Sequence, residues 1–295
     1  MTVITRFAPS PTGHLHLGHA YSALFAAQLA QNNEEHQGEF LVRIEDIDLG
    51  RCKPEFEEQI LLDLAWLGLQ WQTPVRRQSD HIDDYAAALN TLSQMDILYP
   101  CFCTRSEIAR EVEASGYAPH NIPSNNITMG PDGLLYPGTC RSLSLSERED
   151  RMAAGQPFAL RLDMEQANRI SGPLHWHNME KGSPEKISAR PEIFGDVVLA
   201  RKDVRTSYHL AVTLDDHLQG VTLVTRGEDL YQASHVHTLL QALLDLNRPD
   251  YHHHRLLTDD SGKRFAKRDF SVTLFEMQQS GVTSQEIRQQ LGFAT

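Results

Sequence analysis

Short apolar runs and longer helix-like stretches alternate along this chain. Residues 3–7 and 40–44 predict strands, the second of them buried, and residues 17–30, apolar or small throughout, predict a helix entered through a Pro/Gly turn. Residues 54–67 follow as an amphipathic helix with Phe56, Ile60, Leu61 and Leu64 inward, and residues 80–98 as another. Residues 158–163, 173–177 and 197–199 read as parts of a mixed insertion whose loops are rich in Gly, Pro, Ser and Asn. Strand character returns at 208–214 and 221–226, a helix is predicted over 231–246, and two short helices over 273–281 and 284–291. Strand–helix alternation of this kind predicts an α/β fold with a parallel sheet. The pattern divides the chain into two halves of a nucleotide-binding domain (1–99 and 196–256), an insertion between them (100–195), and a loop with a helical tail (257–295).

At 295 residues and 40% hydrophobic composition the chain is large enough for a substantial core split over two or three subdomains. No run approaches the ~18 apolar residues of a membrane span, and the N-terminus lacks the basic-then-apolar pattern of a signal peptide. A cytoplasmic protein with no membrane partner is expected. The formal net charge of −12 excludes a general nucleic-acid coat, because nonspecific affinity comes from neutralised phosphates. An RNA partner would have to meet a local basic patch. Arg201-Lys202-Asp203-Val204-Arg205 and the stretch from Lys263 to Arg268 are the candidates, and each also reads as ordinary charged surface.

The chemistry concentrates in two places. In the segment from Arg6 to His19, His16 and His19 fall at the start of a helix, where free N–H groups and the positive dipole end favour a phosphate. A His-x-x-His at a helix start is also a common cap. Far downstream, Gly262 opens a loop carrying Lys263, Arg264, Lys267 and Arg268, which suits a clamp on a triphosphate as well as a solvated loop. Four cysteines without a secretory context point to metal ligands or core residues. Cys101-x-Cys103 and Cys140 make three-quarters of a tetrahedral zinc site. His120 is the chemically ordinary fourth ligand, and Cys52 reads as a bystander. His252-His253-His254, with no carboxylate or Cys at ligand spacing, reads as a strand edge leading to the basic loop.

Pro9-Ser10-Pro11-Thr12-Gly13 followed by Leu15-His16-Leu17-Gly18-His19 resembles the HIGH signature of class I aminoacyl-tRNA synthetases as written in their glutamyl subgroup. Arg264-Phe265-Ala266-Lys267-Arg268 occupies the place of that family's KMSKS loop, with Phe265 and Ala266 as departures and the phosphate-binding Lys267 kept. The resemblance covers nearly the whole chain. It implies a Rossmann-like synthetase catalytic domain with a zinc-bearing insertion and a short helical tail. His16, His19 and Lys267 would be catalytic, and His16, Gly18, His19 and Lys267 would hold ATP with its Mg²⁺. The segments Arg6-Phe7-Ala8-Pro9-Ser10, Arg43-Ile44-Glu45, Ser207-Tyr208 and Thr225-Arg226 resemble the subgroup's amino-acid pocket. Arg6, Tyr208 and Arg226 would bind carboxylates, and Glu45 with Ser10 the ammonium, while Asp215-Asp216 would be structural first. The family's Cys-x-Cys then Tyr-x-x-x-Cys pattern implies Cys101, Cys103, Tyr136 and Cys140 as zinc ligands. The stretch from Cys103 to Tyr136, with its polar residues 121–132, is longer than in the family and reads as a flexible insertion.

Only residues 269–295 follow the basic loop, where a tRNA-charging glutamyl enzyme continues into an anticodon-binding region. The resemblance therefore implies an enzyme that activates glutamate with ATP and transfers it to the queuosine base in the anticodon loop of tRNA(Asp); the sequence does not give its oligomeric state, and a monomer is favoured. The alternatives are a truncated enzyme charging a tRNA 3′ end, another HIGH-type nucleotidyltransferase, and a non-catalytic tRNA-binding paralogue.

Overall fold

The computed structural model of the protein describes residues 2–31, 38–116, 129–257 and 272–293. In chain order the first elements are β1 (Ile4–Phe7), α1 (Leu17–Gln31), β2 (Glu39–Ile44), α2 (Pro54–Trp66), β3 (Arg76–Arg77), α3 (Ile82–Gln94), β4 (Leu98–Cys101), α4 (Arg105–Gly116), β5 (Met129–Gly130) and β6 (Gly133–Leu134). There follow α5 (Leu145–Ala153), β7 (Ala159–Leu162), α6 (Met164–Ser171), β8 (His175–Asn178), β9 (Glu185–Ser188), β10 (Val198–Ala200), α7 (Tyr208–Leu218), β11 (Leu223–Gly227), α8 (Ala233–Leu243), β12 (Asp250–His254), α9 (Leu274–Gln279) and α10 (Ser284–Gln290).

Strands β1, β2 and β3 are parallel, as are β11, β12 and β8, with β9 added antiparallel at the edge. The two groups meet where Thr222 donates its backbone N–H to the Ile4 carbonyl at 3.0 Å and accepts the Ile4 N–H on its hydroxyl at 2.9 Å. Halves of the chain more than 200 residues apart thus come together, with β1 beside β11 where the three-stranded and the four-stranded sheet meet. Helix α1 packs on this sheet through Ala20, Ala23, Ala26, Ala27 and Ala30, all buried; small residues let its backbone come close. The approach is tightest at Gly38, where a Cβ would lie 2.2 Å from the Ala30 carbonyl oxygen. The tail returns to the same core: Leu274, Ile287, Leu291 and Phe293 are buried there. Helices α9 and α10 are started by capping boxes, Thr273 with Glu276 and Thr283 with Glu286.

A second core joins α3, α6, α7 and α8 to the antiparallel sheet β10-β7-β4. Three of the sequence expectations change here. Residues 208–214 are helical in α7, not a strand. Residues His209 to Asp216 are all buried, polar ones included, so the segment has no exposed polar face to mark a helical period, and Ser207 caps it by accepting the Leu210 N–H. The helix expected over 80–98 begins as a 3₁₀ turn and ends at Gln94. Asp96 adopts a left-handed φ of 57°, after which Leu98 starts β4. His252 to His254 lie in β12, which runs between β11 and β8 and is not an edge strand; the three residues pair with β11, and β8 meets β12 at Tyr251. Among the described residues no helix is long and apolar enough to cross a membrane.

Candidate active site

Strands β1 and β11 end at Phe7 and Gly227, and a cavity of about 570 Å³ opens at those C-terminal ends. This is where ligands bind in open parallel sheets, at the point where strand order reverses. The chain leaving β1 lines it with Arg6, Phe7, Ala8, Pro9 and Ser10. Glu45 enters just past β2, Tyr208 from the first turn of α7, Arg226 from β11, and His16, Gly18 and His19 from the start of α1. Every residue expected to contact glutamate or ATP therefore faces one space, except Lys267, which lies outside the described residues.

The two arginines are held in similar ways. Arg6 donates from Nε to Asp216 at 2.9 Å, from Nη2 to the other Asp216 oxygen at 3.4 Å and from Nη1 to the Thr225 carbonyl at 2.9 Å. Arg226 donates from Nη2 to Ser234 at 2.7 Å, from Nη1 to His237 Nδ1 at 3.1 Å and from Nε to His253 at 3.4 Å. Both are 6% exposed. Each guanidinium has five N–H groups and spends three on these partners, so the remaining two suit a bidentate carboxylate in the cavity. Asp216 also accepts from the fully buried Arg43 at 2.8 Å. Burial alone would raise the Asp216 carboxyl, but Arg6 and Arg43 outweigh it and hold it below the usual range. Asp215 is a second hub, taking Arg76 and Gln78 at 2.8 Å each and Tyr85 at 3.0 Å. The pair positions side chains and does not face the cavity.

On the other wall, His16 Nδ1 accepts the Gly18 N–H at 3.1 Å and His19 Nδ1 accepts the His16 N–H at 3.2 Å. Each ring therefore carries its proton on Nε2, the tautomer that donates to an anion. The basic loop is bracketed by described residues at this wall. Arg255, Leu256 and Leu257 line the cavity, and Thr273 bridges back to His16 while Leu274 donates to the Leu15 carbonyl at 2.8 Å.

The cysteines assemble away from this cavity. The sulfurs of Cys101, Cys103 and Cys140 lie within 4.8 Å of one another. Cys103 and Cys140 are 3.4 Å apart, too far for a disulfide. The Tyr136 hydroxyl sits 3.5 Å from Cys103 Sγ and accepts the Cys140 N–H at 2.8 Å, and the Cys140 sulfur accepts the Phe102 N–H at 3.4 Å. Burial pushes the Cys103 thiol up to about 11 and raises the Tyr136 hydroxyl. A dication would reverse both, since metal charge favours the ionised ligand. The donor set and its mutual distances fit a tetrahedral ion. His120 lies outside the described residues, as do residues 121–128. Cys52 is not part of the cluster.

A family model for the catalytic domain of class I (E and Q) tRNA synthetases matches residues 2–291. The chain belongs to the class I tRNA synthetases. It is 46% identical over 300 residues to a glutamyl-Q tRNA(Asp) synthetase from Rhodobacter capsulatus, covering 98% of this chain and 100% of that protein. It is 36% identical to a glutamate–tRNA ligase from Coprothermobacter proteolyticus, over 91% of this chain and 53% of that one. Among solved structures, a glutamate tRNA ligase from Elizabethkingia meningosepticum, crystallised in complex with its amino acid, superposes with a TM-score of 0.70 at 28% identity. That match spans 91% of this chain and 52% of that chain. This synthetase is thus a ligase enzyme with the fold of glutamate–tRNA ligases.

Glu45 gives the synthetase site a pH signature. Burial raises its carboxyl to about 7 against the opposing pull of Arg43 and Arg6. Below that value the group is protonated and neutral and offers an ammonium no charge; above it the carboxylate attracts one. The KM for the amino acid should therefore fall as pH rises through the neutral range. In Glu45→Gln it should be higher and nearly flat. Amino-acid-dependent pyrophosphate exchange measured across pH checks this, and a flat wild-type profile would remove Glu45 from ammonium binding.

Of the residues that hold the arginines, Asp216 was expected to be structural, and it anchors Arg6; the supports of Arg226 carried no such expectation. Arg43 stood in a recognised segment but had no assigned partner, His253 stood in a histidine run read only as a strand edge, and Ser234 and His237 belong to no motif. Their role comes from helix α8 lying beside β11 and β12, a contact between segments that carry no local signal. The basic run from Arg201 to Arg205 is partly consumed internally. Arg201 pairs with Asp203 at 2.9 Å and Asp48 at 3.6 Å, and Lys202 donates to the Phe102 carbonyl at 2.8 Å.

Proposed function

We propose that this synthetase activates glutamate with ATP and transfers it to the queuosine base in the anticodon loop of tRNA(Asp). One observation carries the reading: two anchored arginines, one partly buried carboxyl group and two Nε2-protonated histidines line a single cavity. Glutamate presents two carboxylates and one ammonium, and the charges of the wall are their complement. Arg6, Tyr208 and Arg226 take the carboxylates, and Glu45 with Ser10 the ammonium; Phe7, Ala8 and Pro9 shape the floor. The reacting carboxylate oxygen forms a bond to the α-phosphorus and pyrophosphate leaves, carrying the Mg²⁺ that came with ATP. His16, His19 and Lys267 donate to the charge growing on the phosphates, and Gly18 lets the helix start approach them. A hydroxyl of the queuosine cyclopentenediol then attacks the acyl carbon, the bond from that carbon to the phosphate oxygen breaks, and AMP leaves with the hydroxyl proton taken up by its phosphate. Positioning supplies about 7–11 kcal/mol in such reactions, so no protein nucleophile is required.

The choice of queuosine over a tRNA 3′ end rests on the end-to-end similarity to a protein named for that reaction. The test uses labelled glutamate with queuosine-containing and queuosine-free tRNA. The expected result is label on the former only, recovered in an anticodon-loop fragment after nuclease digestion. Label at the terminal adenosine of both RNAs would establish the alternative, a glutamate–tRNA ligase.

The cysteine cluster belongs to this reading as a structural zinc site closed by Cys101, Cys103, Cys140 and Tyr136, which would tie the segment from 101 to 140 together. One zinc per chain is expected in the wild type, with reduced occupancy and a lower unfolding temperature in Tyr136→Phe. Metal analysis that finds no zinc in either protein rejects the site; full occupancy in the mutant rejects the phenol as a ligand.

A further inference from the structure

Behind Arg226 a row of hydrogen bonds leads out of the amino-acid pocket to the surface. Arg226 Nη1 lies 3.1 Å from His237 Nδ1, His237 Nε2 lies 3.1 Å from His209 Nδ1, and His209 Nε2 lies 2.8 Å from Asp132 Oδ2. Chemistry fixes the direction of every link. An arginine only donates, so His237 Nδ1 must accept. Burial, reinforced by the charges of Arg226 and His209, keeps His237 neutral, so its one proton sits on Nε2 and is donated to His209 Nδ1. His209 must then carry a proton on Nε2, and that proton meets the Asp132 carboxylate. His237 and His209 are 2% and 7% exposed, whereas the Asp132 side chain is 63% exposed, in the turn between β5 and β6. The inner end borders the cavity of about 570 Å³, and the outer end, Asp132 with His209, borders a second cavity of about 390 Å³.

We propose that Asp132, acting through His209 and His237, is a positioning element that sets the orientation of Arg226 and with it the affinity for the amino-acid carboxylate. The reason is tautomeric. If His237 carried its proton on Nδ1, that N–H would oppose the Arg226 N–H and push the guanidinium away. Which nitrogen holds the proton is decided by what the other nitrogen bonds. An acceptor at the far end favours the tautomer that holds Arg226, so the β5–β6 turn contributes to a pocket it does not touch. This inference rests on Arg226 being a carboxylate ligand, and the experiment separates the two ideas.

Pyrophosphate exchange is measured with glutamate and ATP varied in turn. Arg226→Ala tests the pocket: a glutamate KM raised about 30-fold or more is expected from truncating a buried charged partner. If it stays at the wild-type value, the pocket assignment fails and the relay with it. Given that increase, His209→Phe, which keeps the ring and removes both nitrogens, should raise the glutamate KM about tenfold, and Asp132→Ala about threefold, the range of one hydrogen bond lost. The ATP KM should be unchanged in both, and Asp132→Asn, which retains a carbonyl acceptor, should return the glutamate KM to near wild type. Adding Asp132→Ala to Arg226→Ala should have no further effect, because the relay acts only through that arginine. Equal increases in the glutamate and ATP KM, failure of the Asn variant to rescue, or additive effects in the double variant would each overturn the relay while leaving the pocket intact. Asp132 is exposed, so its variants should fold normally, which thermal unfolding checks.

Discussion

Asp216→Ala is expected to shift the unfolding midpoint by an amount corresponding to about 3–5 kcal/mol, the cost of removing one member of a buried ion pair. Its carboxylate lies 2.9 Å from Arg6 Nε and 2.8 Å from Arg43 Nη1, and Arg43 is completely buried. Without the carboxylate two guanidiniums are left close together, Arg43 out of reach of water and Arg6 meeting it only at the cavity. Neither escapes by losing its proton, because arginine stays charged. Glu45, 3.3 Å from Arg43, becomes the nearest counter-charge to that residue, and drawing it toward Arg43 removes it from the cavity. The variant should therefore also weaken amino-acid binding. The control is the exposed pair Lys181–Glu185, whose removal should leave the midpoint unchanged because water screens it. Denaturant unfolding followed by circular dichroism makes the comparison. Equal midpoints for Asp216→Ala and wild type would mean that Asp215, 3.7 Å from Arg43, carries the charge balance.

That ion-pair hub marks the boundary between what was legible in the chain and what was not. The first strand, the alanine-rich helix and the two capped tail helices follow from local rules, and they came out within a few residues of expectation. So did the presence of Arg6, Glu45, Tyr208 and Arg226 at one cavity, because short motifs carried each of them. Helix α7 was missed for a physical reason: a helix buried on nearly every side loses the polar face on which recognition of its period depends. That His252 to His254 belong to an inner strand was missed because strand order is set by partners far away in sequence. β12 sits between β11 and β8, whose central registers lie roughly 27 and 73 residues away. The same distance hides the supports of Arg226. Ser234, His237 and His253 acquire meaning only once α8 packs beside the sheet, and their chemistry depends on burial, which no spacing encodes.

The loop carrying Lys267 is where the largest catalytic effect is expected. The described residues on either side of it stand at one wall: Leu257 lines the cavity, and Thr273 bridges to His16. That wall supplies N–H donors but, among its described residues, Arg255 is the only cation that borders the cavity away from the amino-acid end. The triphosphate of ATP gains negative charge on its leaving group as the α-phosphorus is attacked, and neutral imidazoles leave most of that charge uncompensated. We propose Lys267 as the compensating group. Lys267→Ala should lower the rate of glutamate-dependent pyrophosphate exchange about 100- to 1000-fold, corresponding to about 2.7–4 kcal/mol, while the glutamate KM changes little. That split follows because the contact is made to phosphate in the transition state and not to the amino acid in the ground state. Lys267→Arg, which keeps the charge in a larger head group, should recover part of the rate. An exchange rate in Lys267→Ala equal to wild type would exclude the loop from the mechanism and leave the two histidines and Arg255 to stabilise the pyrophosphate alone.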